Sequence, residues 1–267
     1  MTPQTYQTLG YEKSDGIATI TLNRPDVLNA VNATMGKELL EALGTAERDE
    51  EVKCLIITGN GRAFCAGEDI QDLRGQYERG ENPKLGERLL VKYNPIVKQI
   101  RNMQKPVIAA VNGVAAGAGA GLAYSCDIRV ASEDARFLQA FIKIGLAPDS
   151  GTSFFLPKLV GFPKALELAL TGDELSSRDA ERLGLVSKVV PREQLAATAR
   201  EFAMKLARGP PKAIGLTKRA LNKSISNDLE TVLEYESYLQ EIAGATADHV
   251  EAVRAFFEKR KPVFKGT

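Results

Sequence analysis

The chain has 267 residues, of which 44% are hydrophobic and 26% charged, a composition typical of a globular protein with one large domain or one domain and a small appendage. Its formal net charge of +1 argues against a broad nucleic-acid-binding surface, which needs a basic face. No apolar run approaches the roughly 18 residues of a membrane-spanning helix, and the N-terminal residues show neither a signal-peptide core nor an Arg-rich presequence. We therefore expect a cytoplasmic protein that binds neither nucleic acid nor membrane.

Strand and helix patterns alternate over the first 190 residues. In chain order they first predict a β-hairpin over residues 5–25, a helix over 33–48 capped by Asn32 and a buried strand over 54–59. A mobile polar segment over 72–86, a helix over 87–103, a strand after Pro106 and a strand over 128–131 are predicted next. The last elements are two helices that stop at Gly161 and Gly172, a short capped helix and a strand that ends at Pro191. Such alternation implies parallel strands with right-handed crossovers, so we predict an α/β fold.

The pattern changes at Arg192, after which four consecutive amphipathic stretches predict helices. This change predicts a core over residues 1–191 and a C-terminal helical region over residues 192–267. Helices with two apolar faces often pack against another subunit, so we expect an oligomer.

Few residues are available for metal or redox chemistry. Cys54, Cys65 and Cys126 are irregularly spaced in or beside apolar runs, which predicts buried thiols and not a disulfide framework or a zinc site. His249 is the sole histidine and lies in a charged helical pattern, which leaves little material for a Ser-His-Asp or histidine–metal mechanism. The glycines of residues 117–121 lack the G-x-G-x-x-G spacing of a dinucleotide site. We expect no metal and no cofactor.

Two stretches share one pattern: an apolar strand, a turn of small residues and the start of a helix. They are CLIITG followed by FCAGED, and VIAAV followed by AAGAGAG. In an α/β core such strand ends face one crevice, and small residues let backbone N–H groups crowd a ligand oxygen. One interpretation is an oxyanion hole, in which one N–H donor typically lowers the barrier by about 3–4 kcal/mol. The other is that the small residues only permit close packing of helix on strand.

Asp149 is the candidate general base. It lies in GLAPDSGTS, after an apolar stretch, where burial would raise its pKa and favour proton transfer. The alternative is a helix N-cap, because Ser-Gly-Thr and a helical pattern follow it. Glu68 and Asp69 also begin a helical pattern and are typical of caps or helix-dipole partners. The apolar residues that could wall the site are Phe137, Leu138, Phe141, Ile142, Ile144 and Leu146.

Four motifs, in this order, resemble the crotonase, or enoyl-CoA hydratase/isomerase, superfamily: TLNRPDVLNAVN, GRAFCAGEDI, KPVIAAVNGVAAGAGAGLAYSCDIRVAS and GLAPDSGTSFFLPKLVG. The resemblance implies a spiral of ββα units with a C-terminal helical trimerisation region, assembled as a trimer or a dimer of trimers. It implies an acyl-CoA thioester substrate whose oxygen is held by the backbone N–H groups of Glu68 and Ala118. The residues that it implies lie along coenzyme A are Arg24, Val27, Ala66, Gly67, Asp69 and Ile70.

The sequence departs from the hydratases of this superfamily at the positions of their two glutamates, which carry Gly121 and Phe141 here. Neither side chain can move a proton, whereas addition of water needs an activated water and a proton donor. We expect these two positions to border the acyl pocket instead. The sequence is closer to the branch in which one aspartate, here Asp149, moves a proton between Cα and Cγ of an enoyl-CoA. Two further runs, ALTGDELSSRDAERLGLVSKVV and AFFEKRKPVFKG, resemble the ring-1,2-epoxyphenylacetyl-CoA isomerases of phenylacetate degradation, which form an oxepin-CoA.

We therefore predict an acyl-CoA isomerase that works through a thioester dienolate. A conventional enoyl-CoA hydratase is the second hypothesis. A third, of another class, is a family member without turnover that binds acyl-CoA or RNA; the loss of both glutamates motivates it and the net charge opposes RNA. Dehalogenase chemistry pairs the aspartate with a histidine, which the position of His249 does not favour.

Overall fold

The chain folds into two β-sheets and twelve α-helices in the computed structural model, which describes residues 5–267. The strands are β1 (Leu9–Ser14), β2 (Ile17–Leu22), β3 (Cys54–Gly59), β4 (Ala63–Cys65), β5 (Val107–Val111), β6 (Val114–Ala116), β7 (Ile128–Ser132), β8 (Arg136–Leu138), β9 (Glu174–Ser176) and β10 (Lys188–Val190). The helices are α1 (Ala33–Arg48), α2 (Arg74–Glu78), α3 (Leu85–Arg88), α4 (Asn94–Asn102), α5 (Ala118–Ser125), α6 (Thr152–Val160), α7 (Phe162–Thr171), α8 (Ser177–Arg182), α9 (Leu195–Ala207), α10 (Pro211–Ser224), α11 (Leu229–Gly244) and α12 (Ala247–Phe257).

From β3 to β8, successive strands alternate between the two sheets. The larger sheet has the order β1-β2-β3-β5-β7-β10 and the smaller one the order β4-β6-β8-β9. All pairings are parallel except β1–β2 and β8–β9. Each of β3, β5 and β7 is followed by one strand in the smaller sheet and then by a helix or helices. This repeat is a spiral of ββα units, so the predicted fold class is confirmed.

Local sequence signals account for the first elements. Asp15 and Gly16 both have a positive φ, 51° and 75°, as the two central residues of a type I′ hairpin turn require. The side chain of Asn32 accepts a hydrogen bond of 2.8 Å from the Met35 N–H and caps α1, which has the predicted bounds.

The predicted helix over residues 87–103 is helical from Leu85 to Asn102 but contains a π-helical turn over Leu89–Tyr93. The Asn94 N–H bonds to the Leu89 carbonyl five residues earlier, and Pro95 has no N–H to close an ordinary helical bond. Such turns are frequent at functional sites. The segment predicted as polar and mobile, residues 72–86, contains helix α2; its mobility stays a prediction.

Buried apolar side chains form one cluster on each face of the larger sheet. In β3, Leu55 and Ile57 belong to one cluster, and the alternate residues Cys54 and Ile56 belong to the other. Three buried residues of α9, Leu195, Ala199 and Ala203, complete the second cluster. Helix α9 therefore shares its core with the sheet, although it follows the predicted boundary at residue 191. That division stays a prediction, and residues 1–4 of its first part lie outside the described residues.

The last three helices, α10 to α12, project many apolar side chains into solvent. Lys218 ties α10 to the core, because its buried Nζ lies 2.7 Å from Asp127 Oδ2 and donates to the Ile100 carbonyl at 2.7 Å. The large exposed apolar residues of this region are Leu221, Leu229, Leu233, Tyr238, Val250, Val253, Phe256, Phe257 and Val263. In the part of the chain that the structure describes, no helix combines the length and the apolarity needed to cross a bilayer.

Asn29 fixes the loop between β2 and α1, which lies beside the site described below. It is fully buried and has a positive φ of 57°. Its Oδ1 accepts the Arg24 N–H at 2.9 Å, and its Nδ2 donates to the carbonyls of Asn60 at 2.9 Å and Ala63 at 2.8 Å.

Replacement of Asn29 by alanine removes the side-chain partner of the Arg24 N–H and of the Asn60 carbonyl, whereas the Ala63 carbonyl keeps a hydrogen bond of 3.0 Å from Asn112 Nδ2. We expect Asn29→Ala to lower the free energy of unfolding by about 1–3 kcal/mol, the usual cost of one buried group left without a hydrogen bond. Urea denaturation followed by circular dichroism measures the change. Asn82→Ala, at an exposed loop position, is the matched control and should leave the midpoint unchanged; an equal midpoint in both variants would contradict the anchoring role.

Candidate active site

A cavity of about 440 Å³ lies where the turns after β4 and β6 meet the helical stretch 74–93. Most of its wall is apolar, with a few charged groups. The lining residues are Ala66, Gly67, Glu68, Ile70, Leu73, Tyr77, Leu85, Arg88, Leu89, Tyr93, Gly117, Ala118, Ala140, Phe141, Lys143, Ile144, Leu146 and Asp149. The two predicted turns and Asp149 therefore border one cavity, although they are far apart in the sequence.

Two backbone N–H groups at the cavity are free to bind a ligand oxygen. Val31 bridges the chain at Glu68: the Val31 N–H donates to Gly67 O at 2.7 Å, and the Asp69 N–H donates to Val31 O at 3.2 Å. In a parallel bridge of this kind, the N–H of the middle residue points to the other side. Ala118 is the first residue of α5, so its N–H has no partner within the helix. Within residues 5–267, neither N–H donates to another backbone oxygen.

Gly67 brings these two donors together. Its φ is +94°, and a Cβ at this position would lie 2.8 Å from Ala116 O and 3.3 Å from Ala118 N. A residue with a side chain would therefore push the two turns apart. The close contact places the Glu68 and Ala118 N–H groups, which follow directly in their turns, on the same part of the cavity wall. The arrangement can stabilise negative charge that develops on a carbonyl oxygen.

Asp149 presents its carboxylate to the cavity and does not cap α6. The Thr152 N–H bonds to the backbone carbonyl of Asp149 at 2.8 Å, so the side chain is not used as a cap. Oδ1 accepts one hydrogen bond of 2.7 Å from Ser150 Oγ. Burial raises the pKa of this carboxyl above its ordinary value; the Ser150 hydrogen bond lowers it and the nearby Glu68 raises it. A carboxylate with a raised pKa in an apolar wall is suited to accept a proton from carbon.

Gly121 lies beneath the Asp149 turn and is absent from the described cavity lining. A Cβ on Gly121 would lie 2.7 Å from Ser150 O and 3.1 Å from Thr152 Cγ2. The structure thus corrects the expectation that Gly121 borders the acyl pocket, because the turn over residues 149–151 fills that space. The same contact leaves no room for a glutamate at this position.

Phe141, at the other hydratase-glutamate position, does line the cavity. It is buried, and its ring lies 3.7 Å from the point where a Cβ on Gly117 would stand. Phe141 therefore covers the backbone of the second turn with an apolar surface and supplies no titratable group.

The side chain of Glu68 enters a network that the sequence did not predict. Its carboxylate accepts hydrogen bonds from Arg88 at 2.6 Å, from Lys92 at 2.8 and 2.9 Å and from the Tyr93 hydroxyl at 2.7 Å. Burial, followed by the charge of Glu68, holds the pKa of Tyr93 well above its usual range, so this hydroxyl stays protonated. The expectation of a helix cap is wrong for Glu68 and confirmed for Asp69, whose side chain accepts the Gln71 N–H at 3.2 Å.

The residues expected along coenzyme A divide into two groups. Ala66, Gly67 and Ile70 line the cavity, whereas Arg24, Val27 and Asp69 lie outside its lining.

An ion pair joins two members of the second group. Arg24 Nη1 donates to Asp69 Oδ2 at 2.8 Å and to the Ala30 carbonyl at 2.6 Å. Asp69 is nearly fully buried, so this pair fixes the loop before α1 against the turn that carries Glu68.

The cysteines and the histidine lie apart from this chemistry. Cys54, Cys65 and Cys126 are buried free thiols, as predicted, and burial raises the pKa of each to about 12. His249 lies in α12 and is absent from the described cavity lining.

Comparison with known proteins decides the family. A profile described as Enoyl-CoA hydratase/isomerase matches residues 12–267. The chain belongs to this family. A 1,2-epoxyphenylacetyl-CoA isomerase of Escherichia coli (strain K12) is 46% identical over 251 residues, which cover 94% of this chain and 95% of the relative. A short-chain-enoyl-CoA hydratase of Clostridium acetobutylicum is 39% identical, with 94% of each chain covered.

The fold agrees with that assignment. The crystal structure of an enoyl-CoA hydratase from Bacillus anthracis superposes with a TM-score of 0.92 at 33% identity, covering 98% of this chain and 100% of that one. This protein therefore has the crotonase fold of the enoyl-CoA hydratase/isomerase enzymes. Its relatives in that family include proteins named as hydratases and proteins named as isomerases.

The contact between Gly121 and the Asp149 turn can be tested directly. We expect Gly121→Ala to lower the free energy of unfolding by about 1–3 kcal/mol, because the added methyl group would have to displace Ser150. Thermal unfolding followed by calorimetry measures it. Gly86→Ala, where a Cβ meets nothing within 4 Å, is the control and should be neutral or stabilising; a Gly121→Ala protein as stable as the control would contradict the close contact.

Proposed function

We propose that this protein is an acyl-CoA isomerase that moves a double bond, or opens an aromatic-ring epoxide to an oxepin, through a dienolate of the thioester. One observation carries the proposal. The described cavity lining contains two carboxylates, and Glu68 is held by two cations and a hydroxyl, which leaves Asp149 as the one available to carry a proton. The two positions of the hydratase glutamates hold Gly121 and Phe141.

The mechanism needs one base and two donors. The thioester oxygen sits between the N–H groups of Glu68 and Ala118, which stabilise the negative charge that it gains as the enolate forms. The carboxylate of Asp149 takes a proton from Cα or Cγ and returns it to another carbon of the conjugated system. With the epoxide, the ring C–C bond that the oxygen bridges also breaks, and its electron pair enters the new double bonds of the seven-membered oxepin. In both reactions no atom is gained or lost overall, so neither an activated water nor a second proton carrier is required.

Binding of coenzyme A along Arg24, Val27, Ala66, Gly67, Asp69 and Ile70 is part of the proposal. Because the Arg24–Asp69 pair ties two of these segments together, it would hold the surface against which the thioester arm lies. We also propose a trimer or a dimer of trimers, supported by the exposed apolar side chains of α10 to α12. The cytoplasmic location stays a prediction.

Proton exchange tests the role of Asp149. We expect Asp149→Asn to lower kcat for migration of the double bond of a β,γ-unsaturated acyl-CoA by about 10²–10⁴-fold, the usual contribution of a general base. Binding of the acyl-CoA should persist. The measurement is isomerisation in D₂O, with deuterium at Cα and Cγ followed by NMR.

Asp173→Asn, at an exposed position, is the matched control and should retain full turnover. Near-normal isomerisation by Asp149→Asn would overturn the mechanism. Hydration of crotonyl-CoA that survives in Asp149→Asn would favour a hydratase instead, and absence of both reactions with intact acyl-CoA binding would favour a binding protein.

The pKa of Asp149 should appear in the pH dependence. Because the base acts as a carboxylate, kcat/KM should fall as the pH drops through the pKa of Asp149, which burial raises above the ordinary aspartate value of about 3.9. Ser150→Ala removes the hydrogen bond that lowers this pKa, so the acidic limb should move to higher pH. Ser153→Ala, at an exposed position, should leave the limb in place. A limb that moves to lower pH in Ser150→Ala would contradict the assignment.

A further inference from the structure

We propose that the side chain of Glu68 is a positioning residue for the oxyanion hole: its clamped carboxylate fixes the peptide whose N–H donates to the thioester oxygen. The inference rests on the function proposed above. It assigns a role to a carboxylate that lies in the active-site wall and that the proton transfer does not use.

The clamp consists of three donors to the Glu68 carboxylate, which all lie on one helical stretch. Arg88, Lys92 and Tyr93 all donate to the Glu68 carboxylate, at 2.6 to 2.9 Å. Residues four apart share a helix face, which accounts for Arg88 and Lys92. The π turn over Leu89–Tyr93 bonds residues five apart, and it brings Tyr93 onto the same side as Arg88.

Lys92 couples the clamp to the backbone of Glu68. Its Nζ donates to the carboxylate of Glu68 and, at 3.3 Å, to the carbonyl of Val31. Val31 is the residue that hydrogen-bonds to the chain on both sides of Glu68. One buried ammonium group therefore holds both the side chain of Glu68 and the bridge residue, Val31, that orients its peptide.

The chain makes room for this lysine. Lys92 is buried, and its stem runs over Gly36 of α1, where a Cβ would come within 2.6 Å of Lys92 Cγ. Burial of an ammonium group costs free energy of folding unless a negative charge lies beside it. The Glu68 carboxylate supplies that charge for Lys92. Movement of the Glu68 side chain would leave this cation unpaired, which keeps the carboxylate in one position.

Proton transfer by Glu68 does not fit this geometry. Three donors occupy its two oxygens, and the Tyr93 hydroxyl stays protonated. What the clamp can supply is orientation, and a misplacement of about 1 Å in a catalytic constellation can cost roughly a hundredfold in rate.

The carbonyl stretch of a bound thioester reports the oxyanion hole without requiring turnover. The probe is hexanoyl-CoA labelled with ¹³C at the thioester carbon, followed by isotope-edited infrared difference spectroscopy. In the wild type we expect the band to lie at lower frequency than in free hexanoyl-CoA, because the two N–H donors polarise the carbonyl. In Glu68→Gln we expect most of that displacement to be lost.

The kinetic counterpart is a change in kcat that exceeds the change in KM. We expect Glu68→Gln to lower kcat by about tenfold to a hundredfold with a smaller change in KM, since the donors bind the enolate more strongly than the ground-state thioester. Glu87→Gln is the matched control, because Glu87 is exposed and, among residues 5–267, forms its ion pair with Lys84 alone; it should preserve both the band position and kcat.

The outcomes separate this inference from the proposed function. A wild-type band at the free position would overturn the oxyanion hole, and with it both proposals. A displaced band that is equal in wild type and Glu68→Gln, with equal kcat, would overturn the positioning role alone. If Glu68→Gln does not fold, Tyr93→Phe removes one donor without changing volume, and the band should move part of the way toward that of the free thioester; an unmoved band would overturn the inference.

Discussion

The site depends on the close approach of the turns that follow β4 and β6, where glycines lie against the backbone of the opposite turn. A Cβ on Gly67 would stand 2.8 Å from Ala116 O, and one on Gly119 would stand 2.1 Å from Cys65 O. Glycine at both positions lets β4 and β6 pair in parallel and end side by side. The peptide N–H groups that follow then point at the same cavity. The proposed oxyanion hole would therefore be a product of backbone packing: its two donors are main-chain groups, and the hydrogen bonds of the Glu68 side chain would hold one of them in place.

Packing also bears on the number of carboxylates that the site can present. The turn that presents Asp149 lies directly over Gly121, with Ser150 O at 2.7 Å from where a Cβ would be. A carboxylate on the turn and a glutamate on the helix beneath it would compete for one volume. Glycine at position 121 and the turn that carries Asp149 are thus two aspects of one local shape. At the position of the second hydratase glutamate, Phe141 gives the cavity an apolar wall and no titratable group.

Patterns of local periodicity and turn chemistry predicted most of the fold, including α1, the hairpin at Asp15 and both helix stops at glycine. They also singled out the two small-residue turns and Asp149, which the structure places around one cavity, because each lies beside a short-range signal. The packing of α9 on the sheet, the cover over Gly121 and the clamp on Glu68 were not predictable in this way. Each depends on contacts between distant segments; the partners of Glu68 lie 20 to 25 positions away, on a helical stretch whose apolar periodicity gives no sign of the contact.

The charged groups of the cavity divide into two kinds, and this division favours isomerisation. The carboxylate of Glu68 is compensated by Arg88 and Lys92, so its charge is fixed and it serves geometry. Within the described part of the chain, the carboxylate of Asp149 has one partner, the Ser150 hydroxyl, and burial makes this carboxylate more basic. An apolar cavity with one such base can return a proton to the carbon skeleton from which it came. Addition of water would need a second group to activate the nucleophile, and the clamp on Glu68 removes the remaining carboxylate in the lining from that task.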